Sequence, residues 1–185
     1  LLQDSNNGVS IHLIKNLPVA SGIGGGSSNA AMTLRVLSRL WNKKMPSLDD
    51  ILGLGADVPV CLSNQLQRMQ GIGEIRTELS APSKMWIVLA NPGIKIPTTN
   101  IFNLLSFKQN KELEPISNLT DKDNFCEYLG RQRNDLETVT SNLFPEVKQM
   151  LRIIKRTRDC RLSRMSGSGA TCFGLYTKKK YAQKA

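Results

Sequence analysis

A chain of 185 residues has room for one large or two small domains, and 40% hydrophobic with 22% charged residues fits a soluble globular protein. No run of 18 apolar residues occurs, which excludes a membrane-spanning helix, and no charged, apolar and small-residue signal segment is visible. The net charge of +10 would suit nucleic acid, but the bases are dispersed outside 155–158 and 178–180 and the 5% of aromatic residues do not interleave with them; a solvated basic surface that attracts polyphosphate ligands is the simpler reading.

The first predicted element is a half-buried strand at 9–15, from the alternation Val9-Ser10-Ile11-His12-Leu13-Ile14. His12, the one histidine, is read there as structural and cannot build a zinc centre. A loop at 18–28 follows, then a helix at 28–42 whose apolar residues Ala31, Leu34, Leu37 and Trp41 have helical spacing. A short helix is predicted at 47–53 with Ser47 as N-cap and Asp49 and Asp50 in its first turn. Strands are predicted at 59–62, 66–70 and 75–79, with a turn at 71–74. The polar 80–84 stretch is taken as a domain boundary, dividing 1–83 from 84–185. Beyond it come a buried strand at 85–90, helices at 98–106, 121–130 and 145–157, a helical segment starting at Asn134-Asp135, and strands at 161–166 and 171–176. Strands and helices mix without strict alternation, which gives an α+β class. Cys61, Cys126, Cys160 and Cys172 form no C-x-x-C pair, and Cys61 and Cys172 sit in apolar strand-like runs, a pattern of reduced thiols in a reducing compartment.

The chemistry concentrates in the first loop. Ser21-Gly22-Ile23-Gly24-Gly25-Gly26-Ser27-Ser28 runs straight into a helix start. Glycines let a ligand approach the main chain, and a helix N-terminus presents unpaired N–H groups and a positive dipole end to an anion. A flexible connection is the alternative. The run is neither a Walker A loop nor a dinucleotide fingerprint, since no Gly-Lys-Ser/Thr and no G-x-G-x-x-G is present. Ser27 and Ser28 can reach a phosphate oxygen or Mg²⁺, or merely cap the helix. Asp57 is one acid in the apolar stretch 54–62, either a reacting group or a turn carboxylate satisfied by local N–H groups. A second small-residue loop, Ser166-Gly167-Ser168-Gly169, leads into an apolar strand and by itself is equally a tight turn.

Three co-linear motifs, Pro18 to Ala31, Gly55-Ala56-Asp57-Val58-Pro59 and Met165 to Gly174, together resemble the GHMP kinase superfamily. Smaller matches lie at Gly71-Ile72-Gly73-Glu74, Asn91-Pro92-Gly93, Thr98 with Phe102, and Asn134 to Glu137. Within it the motifs are most similar to the branch that phosphorylates the 2-hydroxyl of 4-diphosphocytidyl-2-C-methyl-D-erythritol in the non-mevalonate isoprenoid precursor pathway. The resemblance implies a two-domain GHMP-kinase-like α+β fold with a truncated N-terminal domain and a C-terminal ferredoxin-like α/β layer. It implies ATP and Mg²⁺ as cofactors. Pro18, Ser21, Gly22, Gly24, Gly25, Gly26, Ser27 and Ser28 would bind the nucleotide, with Ser28 on the metal. Asp57 would accept or orient the acceptor proton, and Thr98, Ser166, Gly167 and Ser168 would line the substrate, although Thr98 could equally cap a helix. Glu74 and Asn134-Asp135 are read as loop braces.

The same resemblance implies a small-molecule cytidine diphosphate partner, no nucleic acid, no membrane, at most a weak homodimer, and a bacterial cytoplasmic location with a plastid one as the alternative. Against the family pattern the chain opens without Met, is about one helical turn short between Pro46 and Gly55, and stops at the start of a helix in 178–185. An upstream segment with sheet strands, a lysine near the transferred phosphate and base contacts is expected to be missing. On that reading, residues 1–185 alone would be poorly soluble or oligomeric and inactive, with Ile11 and Leu13 uncovered. Another GHMP kinase, for homoserine, mevalonate or a sugar, and a non-enzymatic remnant are the competing readings.

Overall fold

The structure, a computed structural model, describes residues 2, 8–19, 21–115 and 119–185. Ala20, inside the expected 18–28 loop, lies outside the described residues. The chain forms two compact units: Leu1–Leu17 with Gly24–Leu79, and Pro18–Ile23 with Ser80–Ala185.

Unit 1 is built on α1 (Gly25–Leu40), α2 (Leu48–Leu54) and α3 (Val58–Cys61). Ala31, Leu34, Ile51 and Val58 form its buried cluster, and each large side chain there contributes roughly 1.5–3 kcal/mol. Ser47 starts α2 through a capping box, its side chain taking the Asp50 N–H while Asp50 reaches back to the Ser47 N–H. An antiparallel hairpin, β1 (Gln67–Gln70) and β2 (Ile75–Glu78), completes the unit.

Three expectations are corrected in this unit. Residues 9–15 are not a strand: they are irregular, with Ile11, His12 and Leu13 exposed. Alternation describes one face of a ladder, and no partner strand pairs with this stretch among the described residues. Residues 59–62 are not a strand either, because 58–61 turn as α3. A four-residue apolar run carries no period of its own, and Pro59 in the first helical turn has the φ a helix start needs. Finally, α1 begins at Gly25 rather than residue 28, so Ser27 and Ser28 lie inside its first turn and cap nothing.

Unit 2 is a three-stranded antiparallel sheet in the order β3-β5-β4, from β3 (Trp86–Ala90), β4 (Leu162–Met165) and β5 (Cys172–Tyr176). Its helices are α4 (Thr98–Asn103), α5 (Lys122–Arg131), α6 (Asp135–Leu143), α7 (Pro145–Arg156) and the short α8 (Lys179–Ala182). Cys172, Gly174 and Tyr176 alternate inward along β5. There they meet α7, whose Val147 and Ile154 join Ile96, Ile101, Leu136, Met165 and Cys172 in the core. A Cβ on Gly174 would fall 2.6 Å from Ile154 Cγ2, so the missing side chain is what lets α7 seat on the sheet. Phe144 ends α6 and Pro145 begins α7, which turns the chain between them without a loop.

Candidate active site

In unit 1 the glycine run becomes the N-terminus of a helix. Gly24 takes a left-handed conformation (φ +67°) as the N-cap of α1, and its carbonyl accepts the Ser28 N–H at 2.9 Å. No side chain caps the helix and no acid occupies its first turn. The N–H groups of Gly25, Gly26 and Ser27 therefore face outward beside the positive end of the helix dipole. Gly25 and Gly26 are poor helix formers, yet a Cβ at Gly24, Gly25 or Gly26 would meet no protein atom within 4 Å. Packing within the protein does not ask for glycine at these positions. At Gly24 the left-handed backbone asks for it.

Asp57 stands beside this helix end. Gly55 (φ +154°) ends α2, and its Cβ position lies 3.9 Å from Ser27 Oγ. Val58, next to Asp57, is buried with Ala31 and Leu34 of α1. Asp57 occupies the N-cap position of α3, but its carboxylate makes no capping hydrogen bond, and the residue is exposed. The alternative of a carboxylate satisfied by local N–H groups is thus not what the fold contains. Its negative charge is felt by the Cys61 thiol, which burial first, and Asp57 second, push above the ordinary range.

In unit 2, residues 18–23 and the second small-residue loop form one structure. Pro18 is exposed, whereas Ser21 is buried and its carbonyl accepts the Thr171 N–H at 3.3 Å. Ser166 Oγ donates to the Gly22 carbonyl at 2.7 Å. Gly22 has φ +72°, and a Cβ there would lie 2.6 Å from the carbonyl oxygens of both Ser166 and Gly169. Ser168 is buried, with its hydroxyl 2.8 Å from Thr98 Oγ1 and its carbonyl accepting from Thr140 Oγ1 at 3.3 Å. Pro97, not Thr98, is the N-cap of α4 and makes no side-chain cap, so the capping role considered for Thr98 gives way to the pair with Ser168. Asn134 braces the loop as expected: its Nδ2 donates to the carbonyls of Met165 (3.0 Å) and Gly167 (2.8 Å) while its Oδ1 caps α6 at the Leu136 N–H. Glu137 Oε2 accepts the Met165 N–H at 2.8 Å. Glu74 likewise braces its own turn in unit 1, accepting the Ile72 N–H.

Gly167 is the exposed tip of the second loop and borders a cleft of about 490 Å³ that Phe102, Leu105, Phe107 and Arg133 also line. Sequence reasoning did not find this cleft, because residues 102–110 carry no pattern beyond scattered aromatics. It also missed Thr140, although a threonine four residues after Leu136 falls on the inward face of α6 and, buried, needs a partner. Of the expected site residues, the structure brings Gly24 to Ser28 near Asp57 in unit 1, and Ser21, Gly22, Thr98 and Ser166 to Ser168 together in unit 2. Among the described residues no three His, Cys, Asp or Glu side chains converge on a metal position.

Residues 1–65 match the family model for the GHMP kinases N terminal domain, and residues 115–185 match that for the GHMP kinases C terminal domain. The chain belongs to the GHMP kinase family, whose members are ATP-dependent kinases. Among its relatives are proteins named 4-diphosphocytidyl-2-C-methyl-D-erythritol kinase. That of Cereibacter sphaeroides is 44% identical over 180 residues, covering 96% of this chain and 65% of the relative. That of Paramagnetospirillum magneticum is 41% identical over 181 residues, covering 96% and 64%. The chain therefore spans just under two thirds of the length of these relatives. A crystal structure of 4-(cytidine 5'-diphospho)-2C-methyl-D-erythritol kinase superposes with a TM-score of 0.71 at 29% identity, over 92% of this chain and 62% of that one. Homoserine kinase from Cytophaga hutchinsonii, 19% identical with a TM-score of 0.69, shares the fold.

Proposed function

We propose that the protein carrying this chain transfers the γ-phosphoryl group of ATP to the 2-hydroxyl of 4-diphosphocytidyl-2-C-methyl-D-erythritol. The observation that carries this reading is the pairing, in unit 1, of an uncapped glycine helix start with an exposed aspartate that no capping bond engages. The names of the relatives supply the substrate. Residues 1–83 then act as the remainder of the nucleotide-binding domain, and 84–185 as the C-terminal kinase domain.

Phosphoryl transfer asks mainly for positioning and charge stabilisation. The N–H groups of Gly25, Gly26 and Ser27 hold non-bridging oxygens of the β- and γ-phosphates without needing a Walker lysine. The acceptor oxygen forms its bond to the γ-phosphorus as the bond to the β,γ-bridging oxygen breaks. ADP leaves with that electron pair, and the acceptor proton goes to the Asp57 carboxylate. Mg²⁺ fits as an ion delivered on the nucleotide rather than one held by the protein alone, since a hard cation of this kind keeps phosphate and water ligands and takes few from protein. The Ser28 hydroxyl, in the first turn of α1, is the protein oxygen that would reach it. When bound, the ion neutralises charge that develops on the phosphates. In unit 2, Thr98 and the Gly167 tip are the candidate substrate contacts, and the cleft that Gly167 borders offers the aromatic surface of Phe102 and Phe107.

Asp57→Asn tests the reading. In the intact protein that carries this chain, kcat with this substrate falls by about 10²–10⁴-fold, the range for a positioned acid–base group, while nucleotide affinity is unchanged. A variant that turns over at the wild-type rate removes Asp57 from the reaction.

A further inference from the structure

The β1–β2 hairpin has no role in the site as described so far, and its geometry gives it one. β2 is exposed along its whole length, so burial of apolar surface is a minor part of what that strand does. The turn joining it to β1 behaves otherwise. Gly73 is buried although both of its neighbours are exposed, and it has φ +104°. A Cβ at Gly73 would lie 2.3 Å from the Ala56 carbonyl oxygen and 3.2 Å from its carbon. The turn is pressed on the backbone of the residue immediately before Asp57.

Three residues further along each segment the hairpin makes a second contact. Arg76 Nη1 donates to the Pro59 carbonyl at 2.9 Å. The two contacts, 73 on 56 and 76 on 59, bracket Asp57 and Val58. The turn itself is held by the Gly73 N–H on the Gln70 carbonyl (3.2 Å) and by Glu74 on the Ile72 N–H. Asp57 makes no capping bond, so its carboxylate inherits its position from this stretch of backbone.

We infer that the hairpin is a two-point clamp on the 56–59 backbone, with Gly73 and Arg76 as positioning residues for the Asp57 carboxylate; this rests on Asp57 handling the acceptor proton. A side chain at position 73 must push the Ala56 carbonyl back by about 1 Å to reach ordinary contact, and a misplacement of that size near a reacting group costs about 10²-fold in rate. The α1 N–H groups are not touched.

The test is a double-mutant cycle in the intact protein that carries this chain, assayed with ATP and 4-diphosphocytidyl-2-C-methyl-D-erythritol. Gly73→Ala lowers kcat by about 10²-fold with KM for ATP unchanged. Arg76→Met, which keeps an aliphatic stem and loses the donor, lowers kcat by about tenfold, a share of the same misplacement, and Arg76→Lys restores most of it. Added to Asp57→Asn, Gly73→Ala causes no further loss, because it acts through the group already removed. The clamp is overturned by wild-type kcat in both Gly73→Ala and Arg76→Met. It is equally overturned by additive losses in the double variant, or by ATP affinity falling together with kcat. Wild-type turnover in Asp57→Asn is a different result: it defeats the assignment of Asp57 itself, and the clamp with it.

Discussion

Gly25 and Gly26 sit in the first turn of a helix, where alanine would be more stable by about 1 kcal/mol each. A Cβ on either meets only open space, so the protein gains nothing structural from the absence of a side chain. Gly25→Val accordingly leaves the fold intact and weakens nucleotide binding, because the branched side chain occupies the approach to the N–H groups. Calorimetric titration with ATP checks this, and unchanged affinity in a folded variant would reduce the run to a connector. Gly22 carries the opposite logic. Two carbonyl oxygens 2.6 Å from its Cβ position make it a packing glycine, although it belongs to the same sequence motif. The motif reads as one run in the sequence and is two devices in the fold, a distinction that φ values and neighbours make and residue type does not.

Among the elements, α7 and β5 show how closely the second unit is fitted. Gly174→Ala places a methyl group 2.6 Å from Ile154 Cγ2 and 3.0 Å from the Tyr176 ring and hydroxyl, so both the α7 side chain above it and the Tyr176 ring beside it must give way. Overpacking of this kind destabilises by about 1–3 kcal/mol, measured as a lower denaturation midpoint with an unchanged slope. Asn134→Ala removes two bonds to the second loop and the cap of α6 together. Capping alone is worth about 1 kcal/mol, so urea denaturation should show a loss of at least that size; a loss near zero would end its bracing role. The sequence made most of these elements legible. Periodicity located α1, α5 and α7, turn chemistry located the hairpin, and the Ser47 cap stood where α2 begins. It failed where an element depends on something distant. An alternating stretch at 9–15 is a strand only beside another strand, and 58–61 is helical because of Pro59 and its packing on α1. The bond that holds Ser166 to Gly22, and the approach of Gly55 to Ser27, join residues far apart in the chain, so spacing could suggest the members of the site and not their contacts.

At the scale of the whole molecule, buried thiols set an alkaline limit. Burial first, and the Glu137 carboxylate second, push the Cys172 thiol from 9.0 up to about 12. Burial is also the leading cause of the raised values of Cys61 and Cys126. The unfolded chain releases the Cys172 proton near pH 9 while the folded chain retains it, so the native state binds more protons in this window. Stability is therefore fully present below about pH 9 and declines as pH rises toward 12. Cys172→Ala should flatten that part of the stability profile; an unchanged alkaline slope would show that the thiol is not the cause. A second consequence follows from residues 18–23, which group with Ser80–Ala185 although unit 1 flanks them on both sides in the sequence. Unit 2 is not a contiguous stretch of chain, so no single excision yields it whole. A fragment of 80–185 would lack the carbonyls that receive Ser166 Oγ and the Thr171 N–H. Supplied separately, a short peptide spanning 18–23 would be the natural complement to that fragment, much as a missing stave is to a barrel.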